Sequence, residues 1–278
     1  NQKICGDGEF TKKASHWFEE KTGTAKCLMT TSCTHATELA AILAGAERMV
    51  FLGGAGVSTG SGIPDFRGSA GLYTASSPEE EPPERVLSGT YLRQFPEKFF
   101  AYYRRHMLYP GARPNAAHYA LAQLEREGKL TAVITQNIDG LHQAAGSHNV
   151  LELHGSVLRN ECLSCRREYP LSLVLETDGV PHCPACGGII RPDVVLYGEG
   201  LDMRILTQAV NAIRAADVLL VGGTSLTVYP AAALPDEFTG KHLVIINRTP
   251  TPLDRRAELV IRAPIQSVLP AAIGLSAD

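Results

Sequence analysis

Along the chain, apolar residues follow two different spacings. Ala36 to Ala46 has the amphipathic spacing of a helix, and so do Phe95 to Met107 and Asn115 to Arg126, the last starting just after Pro114. Between these segments lie short, unbroken apolar or β-branched runs bounded by glycine and polar residues: Met49 to Leu52, Ala132 to Thr135, Val218 to Val221 and Leu243 to Ile246. Runs of that kind are expected of parallel strands covered on both faces. The alternation, which begins near Ala36, predicts an α/β fold with a Rossmann-like, doubly wound parallel sheet. Two stretches break the rhythm. Ala75 to Arg85 is rich in Pro, Glu and Ser and reads as a mobile surface loop. Gly155 to Pro192 mixes turn residues with polar strands and has too little apolar periodicity to build a core of its own.

Composition narrows the functional classes. The 278 residues, 44% hydrophobic and 20% charged, suit a soluble globular chain of one large domain or two smaller ones. No apolar run approaches the ~18–20 residues needed to cross a membrane. The first ten residues are polar and charged, unlike a secretory signal. A net charge of −3 without any basic run argues against nucleic acid as a direct ligand. The seven cysteines are an odd number, which opposes a disulfide framework and places the chain in the cytoplasm.

Four of those cysteines carry a stronger signal. Cys162 and Cys165 form one CxxC pair, Cys183 and Cys186 a second, with residues 166–182 between them. That is the spacing of a zinc ribbon, in which two knuckles deliver four thiolates tetrahedrally and leave no position open for water. Zinc is therefore expected to be structural and to supply folding energy to an otherwise weakly apolar segment. Four free thiols or a redox pair are the competing readings.

The run Met49 to Leu52 feeds a glycine loop, Gly53-Gly54-Ala55-Gly56-Val57-Ser58. Glycines after a strand let the backbone approach a pyrophosphate, although a plain tight turn would read the same way. The loop departs from the GxGxxG dehydrogenase fingerprint: the third glycine position holds Thr59, and no strand ending in an acid follows about 20 residues later. Hydride transfer is disfavoured. The next residues, Thr59 to Gly68, place Asp65, Phe66 and Arg67 in succession, offering an acid, an aromatic shield and a phosphate-binding cation. Further on, Asn137 and Asp139 flank Ile138 after a predicted strand, as polar ligand contacts or as an Asx-rich turn. His154, in Leu153-His154-Gly155, has a side chain suited to general-base work near neutral pH. His118, His142 and His148 read as structural or surface histidines.

These segments resemble, in order, the motifs of the sirtuins. The family pattern GAGxS with SGIPDFR falls on residues 54–67, TQNIDxLH on Thr135 to His142, and LHG on Leu153 to Gly155. The substrate-groove segment PxVVxFGE corresponds to Pro192 to Glu199, with Tyr197 in place of Phe, and the adenosine-side segments to Gly222–Leu226 and Ile246–Asn247. The resemblance spans roughly Glu38 to Ile273. It implies an NAD-dependent protein-lysine deacetylase that transfers the acetyl group to ADP-ribose and releases nicotinamide, with His154 and Asn137 catalytic. It assigns NAD to Gly54, Ala55, Gly56, Ser58, Asp65, Phe66, Arg67, Gln136, Asn137, Ile138, Asp139, Gly223, Thr224, Ser225, Asn247 and Ile261. An acetylated protein or peptide would lie against Val194, Val195, Leu196 and Tyr197 by strand-like pairing.

Some sirtuins take acidic acyl groups by means of a Tyr and an Arg three residues apart. Here an ungapped alignment puts Phe100 and Tyr103 at those positions, as acyl-pocket residues or as ordinary core aromatics, with Arg104 and Arg105 just after them, so acetyl or another neutral acyl group is expected; a one-residue shift would put Arg104 in the pocket. The alternatives are mono-ADP-ribosyl transfer, which breaks the same glycosidic bond, and a catalytically silent NAD-binding module. Residues 1–38 read as a foreign segment before a catalytic domain at 39–278 with an inserted zinc module at 156–192. Cys5 to Thr11 and Thr30 to Thr34 resemble the early part of pyridoxal-phosphate sugar aminotransferases, but that family's Schiff-base lysine has no counterpart. The start at Asn1 rather than Met reads as a fragment or an unusual chain.

Overall fold

The computed structural model describes residues 33–66, 71 and 81–275. Arg67, most of the predicted 75–85 loop and residues 1–32, with the aminotransferase-like stretch at 5–11, lie outside the described residues.

Among the described residues the chain builds two sheets. The larger is formed by β1 (Met49–Gly53), β2 (Leu130–Thr135), β3 (Val150–Glu152), β7 (Val218–Gly222), β8 (His242–Ile246) and β9 (Leu259–Ile261). Its six strands lie in the order β3-β2-β1-β7-β8-β9, and every pairing is parallel. The smaller is antiparallel, with β5 (Glu168–Pro170), β4 (Gly155–Cys162) and β6 (Ile190–Val194) in that order. The helices are α1 (Cys33–Gly45), α2 (Pro83–Val86), α3 (Gly89–Gln94), α4 (Pro96–His106), α5 (Ala116–Arg126), α6 (Leu141–Ala144), α7 (Leu171–Glu176), α8 (Met203–Ala215) and α9 (Ile265–Ala272). Part of the predicted Pro/Glu-rich loop is thus helical, because Pro83 sits at a first-turn position where its missing N–H is harmless.

The unbroken apolar runs follow from burial on both faces. In β1, Met49 and Phe51 pack on one side with Leu39 and Leu43 of α1, Leu121 and Leu124 of α5 and Leu269 of α9. Val50 and Leu52 pack on the other with Ala209 and Ile213 of α8. α5 starts where the sequence predicts: the Asn115 side chain accepts from Ala117 N at 3.0 Å and forms a capping box with His118. A third cluster joins α2, α3 and α4 to Val157, Val174, Val194 and Leu196 of the cysteine-bearing lobe.

Strand order reverses between β1 and β7, and a doubly wound sheet binds its ligands outside the carboxyl ends of the strands at such a point. His154 occupies a second junction: β3 of the large sheet ends at Glu152 and β4 of the small one begins at Gly155.

Candidate active site

At the switch point the two glycine loops are locked together. Gly56 N donates to Gly223 O at 2.8 Å, and a Cβ on Gly56 would stand 2.8 Å from Gly223 Cα, too close for any side chain. Gly223 itself has a φ of +61°, which only glycine adopts readily. β2 is tied to the same rim, because Gln136 N donates to Gly53 O at 3.0 Å and Gln136 Nε2 donates to Thr224 Oγ1 at 3.0 Å. Thr224 Oγ1 also accepts from Leu226 N, so its hydroxyl proton remains for a further acceptor. Ser225 Oγ lies 2.8 Å from Thr227 Oγ1. Asn247 reaches the β8–β9 loop through Nδ2, which donates to Thr249 O at 2.9 Å. Ile261 takes part through its backbone, its carbonyl accepting from Asn247 N at 3.1 Å while its side chain is buried in the core.

The predicted polar residues of the first and second strand loops meet across the rim. Ser58, fully buried, donates its hydroxyl to Asp139 Oδ2 at 2.7 Å and accepts from Asn137 Nδ2 at 3.0 Å. Asn137 is thereby oriented, with Oδ1 left as its acceptor. Asp139 Oδ1 accepts from Leu141 N at 2.9 Å, at the start of α6. Phe66 and Ile138 pack against the third cluster from this side.

His154 stands beside this group, its Nδ1 2.9 Å from Gln136 O. A carbonyl can only accept, so Nδ1 carries the proton and Nε2 presents a lone pair. Burial pushes the imidazole below its usual 6.5, partly opposed by that hydrogen bond, so the ring is a neutral base at pH 7. Its carbonyl accepts from Val195 N at 3.0 Å, which joins the base to the Val194–Tyr197 segment. Val194 and Leu196 are buried, Val195 is half-buried and Tyr197 is exposed. Arg191 clamps the segment, donating to both Glu199 oxygens at 2.7 and 2.9 Å and to Val194 O at 2.8 Å, while Glu199 Oε2 accepts from Leu196 N. Burial alone would raise the Glu199 pKa, but the Arg191 and Leu196 hydrogen bonds outweigh it and hold the carboxyl below its usual value.

The four cysteines converge. Their Sγ atoms all lie within 4.8 Å of one another, with Cys162–Cys186 at 3.4 Å and Cys165–Cys183 at 3.7 Å, and none is in a disulfide. A tetrahedron of Zn–S bonds of about 2.3 Å has sulfur–sulfur edges of about 3.8 Å, so the donor set fits a zinc ion with no position left over. The Tyr169 hydroxyl lies 2.9 Å from Cys183 Sγ and lowers the pKa of that thiol.

The Sir2 family model matches residues 54–230. The chain belongs to the Sir2 family. It is 50% identical over 260 residues to the NAD-dependent protein deacetylase of Cutibacterium acnes, covering 94% of this chain and 96% of that one. It is 52% identical over 233 residues to the protein of the same name from Clostridium perfringens, covering 84% and 96%. A solved Sir2 variant holding a deacetylated p53 peptide and 3′-O-acetyl-ADP-ribose matches with a TM-score of 0.77 at 38% identity, over 86% of this chain and 99% of that chain.

In this Sir2-family chain the structure gathers Gly54, Ala55, Gly56, Ser58, Gln136, Asn137, Asp139, Gly223 and Thr224 at the carboxyl ends of β1, β2 and β7, with His154 alongside. Phe100 and Tyr103 are fully buried beside Phe99 in the aromatic cluster that also contains Val194 and Leu196. The Arg104 guanidinium lies over the Phe100 ring, 5.5 Å from its centroid, and donates to Val174 O at 3.0 Å and Gly179 O at 2.6 Å. Arg191 and Glu199 brace the Val194–Tyr197 segment. Glu199 falls within the segment matched to the substrate groove, whereas Arg191 carries no signal in the sequence.

Proposed function

We propose that this chain removes acetyl groups from lysine side chains of proteins at the expense of NAD, forming nicotinamide and O-acetyl-ADP-ribose. The observation that carries this reading is the His154 imidazole, held as an Nδ1–H tautomer by Gln136 O next to the Ser58–Asn137–Asp139 group. The glycosidic bond of NAD breaks, nicotinamide leaves, and the acetyl oxygen of the lysine captures the ribose. His154 Nε2 takes a proton from a ribose hydroxyl, and the 2′-hydroxyl attacks the acyl carbon. One water is consumed as the lysine amine is released.

In this reading the loops at 54–58 and 223–225, with Asn247, hold the phosphates and adenosine ribose, and Arg67 adds a cation. Asn137 and Asp139 face the nicotinamide and its ribose, and Phe66 covers the ribose. The acetylated segment pairs with Val194 and Val195. The acyl group is acetyl or another neutral chain: Arg104 lies over the Phe100 ring, but its guanidinium is engaged by two backbone carbonyls. Zinc on Cys162, Cys165, Cys183 and Cys186 is structural and serves a module at about 156–192 within a catalytic domain at 39–278, preceded by a separate segment at 1–38. Four neighbouring thiols without a disulfide suit a reducing compartment, the cytoplasm.

Incubation with NAD and acetyl-lysine or succinyl-lysine peptides, side by side, tests the reading. Nicotinamide and free peptide should form in equal amounts from the acetyl substrate, and His154→Ala should lower turnover by about 10²–10⁴. Full deacetylation by His154→Ala overturns the mechanism. ADP-ribose left on protein indicates mono-ADP-ribosyl transfer instead, and NAD binding without turnover a silent module.

A further inference from the structure

Asn115 caps α5 on the flank of the large sheet, yet its side chain does more than a cap requires. Oδ1 accepts from Ala117 N, as an N-cap should, and Ser, Thr or Asp could do this equally well. Nδ2 donates in a different direction, to Val57 O at 2.8 Å and to Ser61 Oγ at 2.9 Å. Those two residues bracket Ser58, the hydroxyl that bonds both Asn137 and Asp139.

A second path leads from Asn115 to the same carboxylate. Asn115 N donates to His118 Nδ1 at 3.2 Å, which fixes the proton of that ring on Nε2. The His118 ring meets His142 edge to face, with centroids 4.8 Å apart. His142 lies in α6, whose first turn is held by Asp139 Oδ1 through Leu141 N. The contacts close a ring: Asn115, the Val57–Ser61 turns, Ser58, Asp139, α6, His142, His118 and back to Asn115. Both imidazoles are buried, and burial pushes His118 down to about 4 and His142 to about 3. Neither therefore carries a charge at neutral pH that would draw Asp139 away from Ser58.

We infer that Asn115, backed by His118, is a positioning residue for NAD: its Nδ2 sets the turn that aims Ser58 at Asn137 and Asp139. The inference rests on the deacetylase reading above. It is tested on the full chain with Asn115→Ser and Asn115→Asp, which both keep an N-cap acceptor and both lose the two donated bonds. With loss of two neutral hydrogen bonds, KM for NAD should rise about tenfold, while KM for the acetyl peptide stays within about twofold of the wild type. The thermal midpoint should fall by a few degrees, because the two bonds are lost from the free protein as well. An unchanged KM for NAD beside a lowered midpoint would make those two bonds structural only, as would equal shifts in both KM values. Calorimetric titration with NAD separates the two levels. If the wild type binds NAD but deacetylates nothing, the deacetylase reading fails, and a weakened NAD affinity in both variants still supports the role of Asn115. Wild-type affinity in either folded variant overturns it.

Discussion

Every residue of β1 and β7 is buried, whereas β5 exposes two of its three residues and β4 mixes buried, half-buried and exposed positions. The large sheet is sandwiched between two apolar clusters drawn from α1, α5 and α9 on one face and α8 on the other. The small sheet has a cluster of its own consisting only of Cys162, Cys183 and Ile190, with Tyr169 and Leu173 against it. A large apolar side chain contributes about 1.5–3 kcal/mol when fully buried. Ordering a residue's backbone costs about 1–2 kcal/mol. The first region can meet that requirement from its own side chains, and the second needs thiolates and a metal. His154 sits where the two meet, so its geometry depends on both kinds of stabilisation.

The largest expected effect breaks the comparison open. A structural zinc site contributes about 10–16 kcal/mol to folding at neutral pH. Chelation should therefore abolish amide protection across 156–192 while β1 and β7 stay protected, as followed by hydrogen exchange. Equal loss in both sheets would show that they share one source of stability. Next in size is a substitution at the rim. Gly56→Ala pushes a methyl group to 2.8 Å from Gly223 Cα, and backbone on both sides leaves it nowhere to go. Overpacking of this kind costs about 1–3 kcal/mol, and NAD affinity should fall by about 100-fold with zinc content unchanged. Retained affinity would mean that the loops do not set the pocket.

Arg104 ties α4 to the small lobe, bonding to carbonyls at Val174 and Gly179. Arg104→Ala should cost about 1.5 kcal/mol, at the low end for charged donors because one bond is exposed. It should speed exchange around 171–180 without admitting succinyl-lysine. A gain or loss of succinyl turnover would place Arg104 in the acyl pocket after all. The smallest effect is one of pH. The folded-state pKa of His154 lies below 6.5, so the neutral base still predominates at pH 6.5. The rate there should be within about twofold of that at pH 7.5, and the acid limb of kcat/KM should appear lower. The stability that goes with this neutral ring follows the same sign: it is present above 6.5 and is lost as pH falls through the depressed value. An acid limb centred above 6.5 would contradict the buried geometry.

The contrast also explains what could be read from the residues alone. The four central strands were legible because burial on both faces leaves an unbroken apolar run, and α5 because Asn115 marks its start. The cysteine spacing announced the small lobe, since metal ligation ties residue type to position. β3 and β9 have only three residues each, too short to show a period. α8 carries a signal too: Asp202 caps it, and Ile205, Leu206, Ala209 and Ile213 follow at helical spacing. Within the site, Ser58, Asn137, Asp139 and His154 announce themselves by motif. Their supports do not, because Asn115 and Arg191 act across 54 or more positions or through backbone carbonyls. Phe100 and Tyr103 show the limit of aromatic spacing, which looks the same for a pocket wall and for a packed core.

The junction at His154 has a practical consequence for anyone exchanging lobes between relatives. Glu152 is in register with Thr135 of the large sheet, and Gly155 with Val194 of the small one. A Cβ at Gly155, whose φ is +76°, would collide with the Asp193 carbonyl. One residue added or removed between Glu152 and Gly155 would turn the following side chains to the opposite face. Arg159 then reaches back to Glu152 at 2.7 Å and across to Asp193 at 2.9 Å, sealing both sides. A chimera that keeps its histidine in place should therefore be cut beyond Arg159, inside the small lobe, with Asp193 inherited from the same parent as His154.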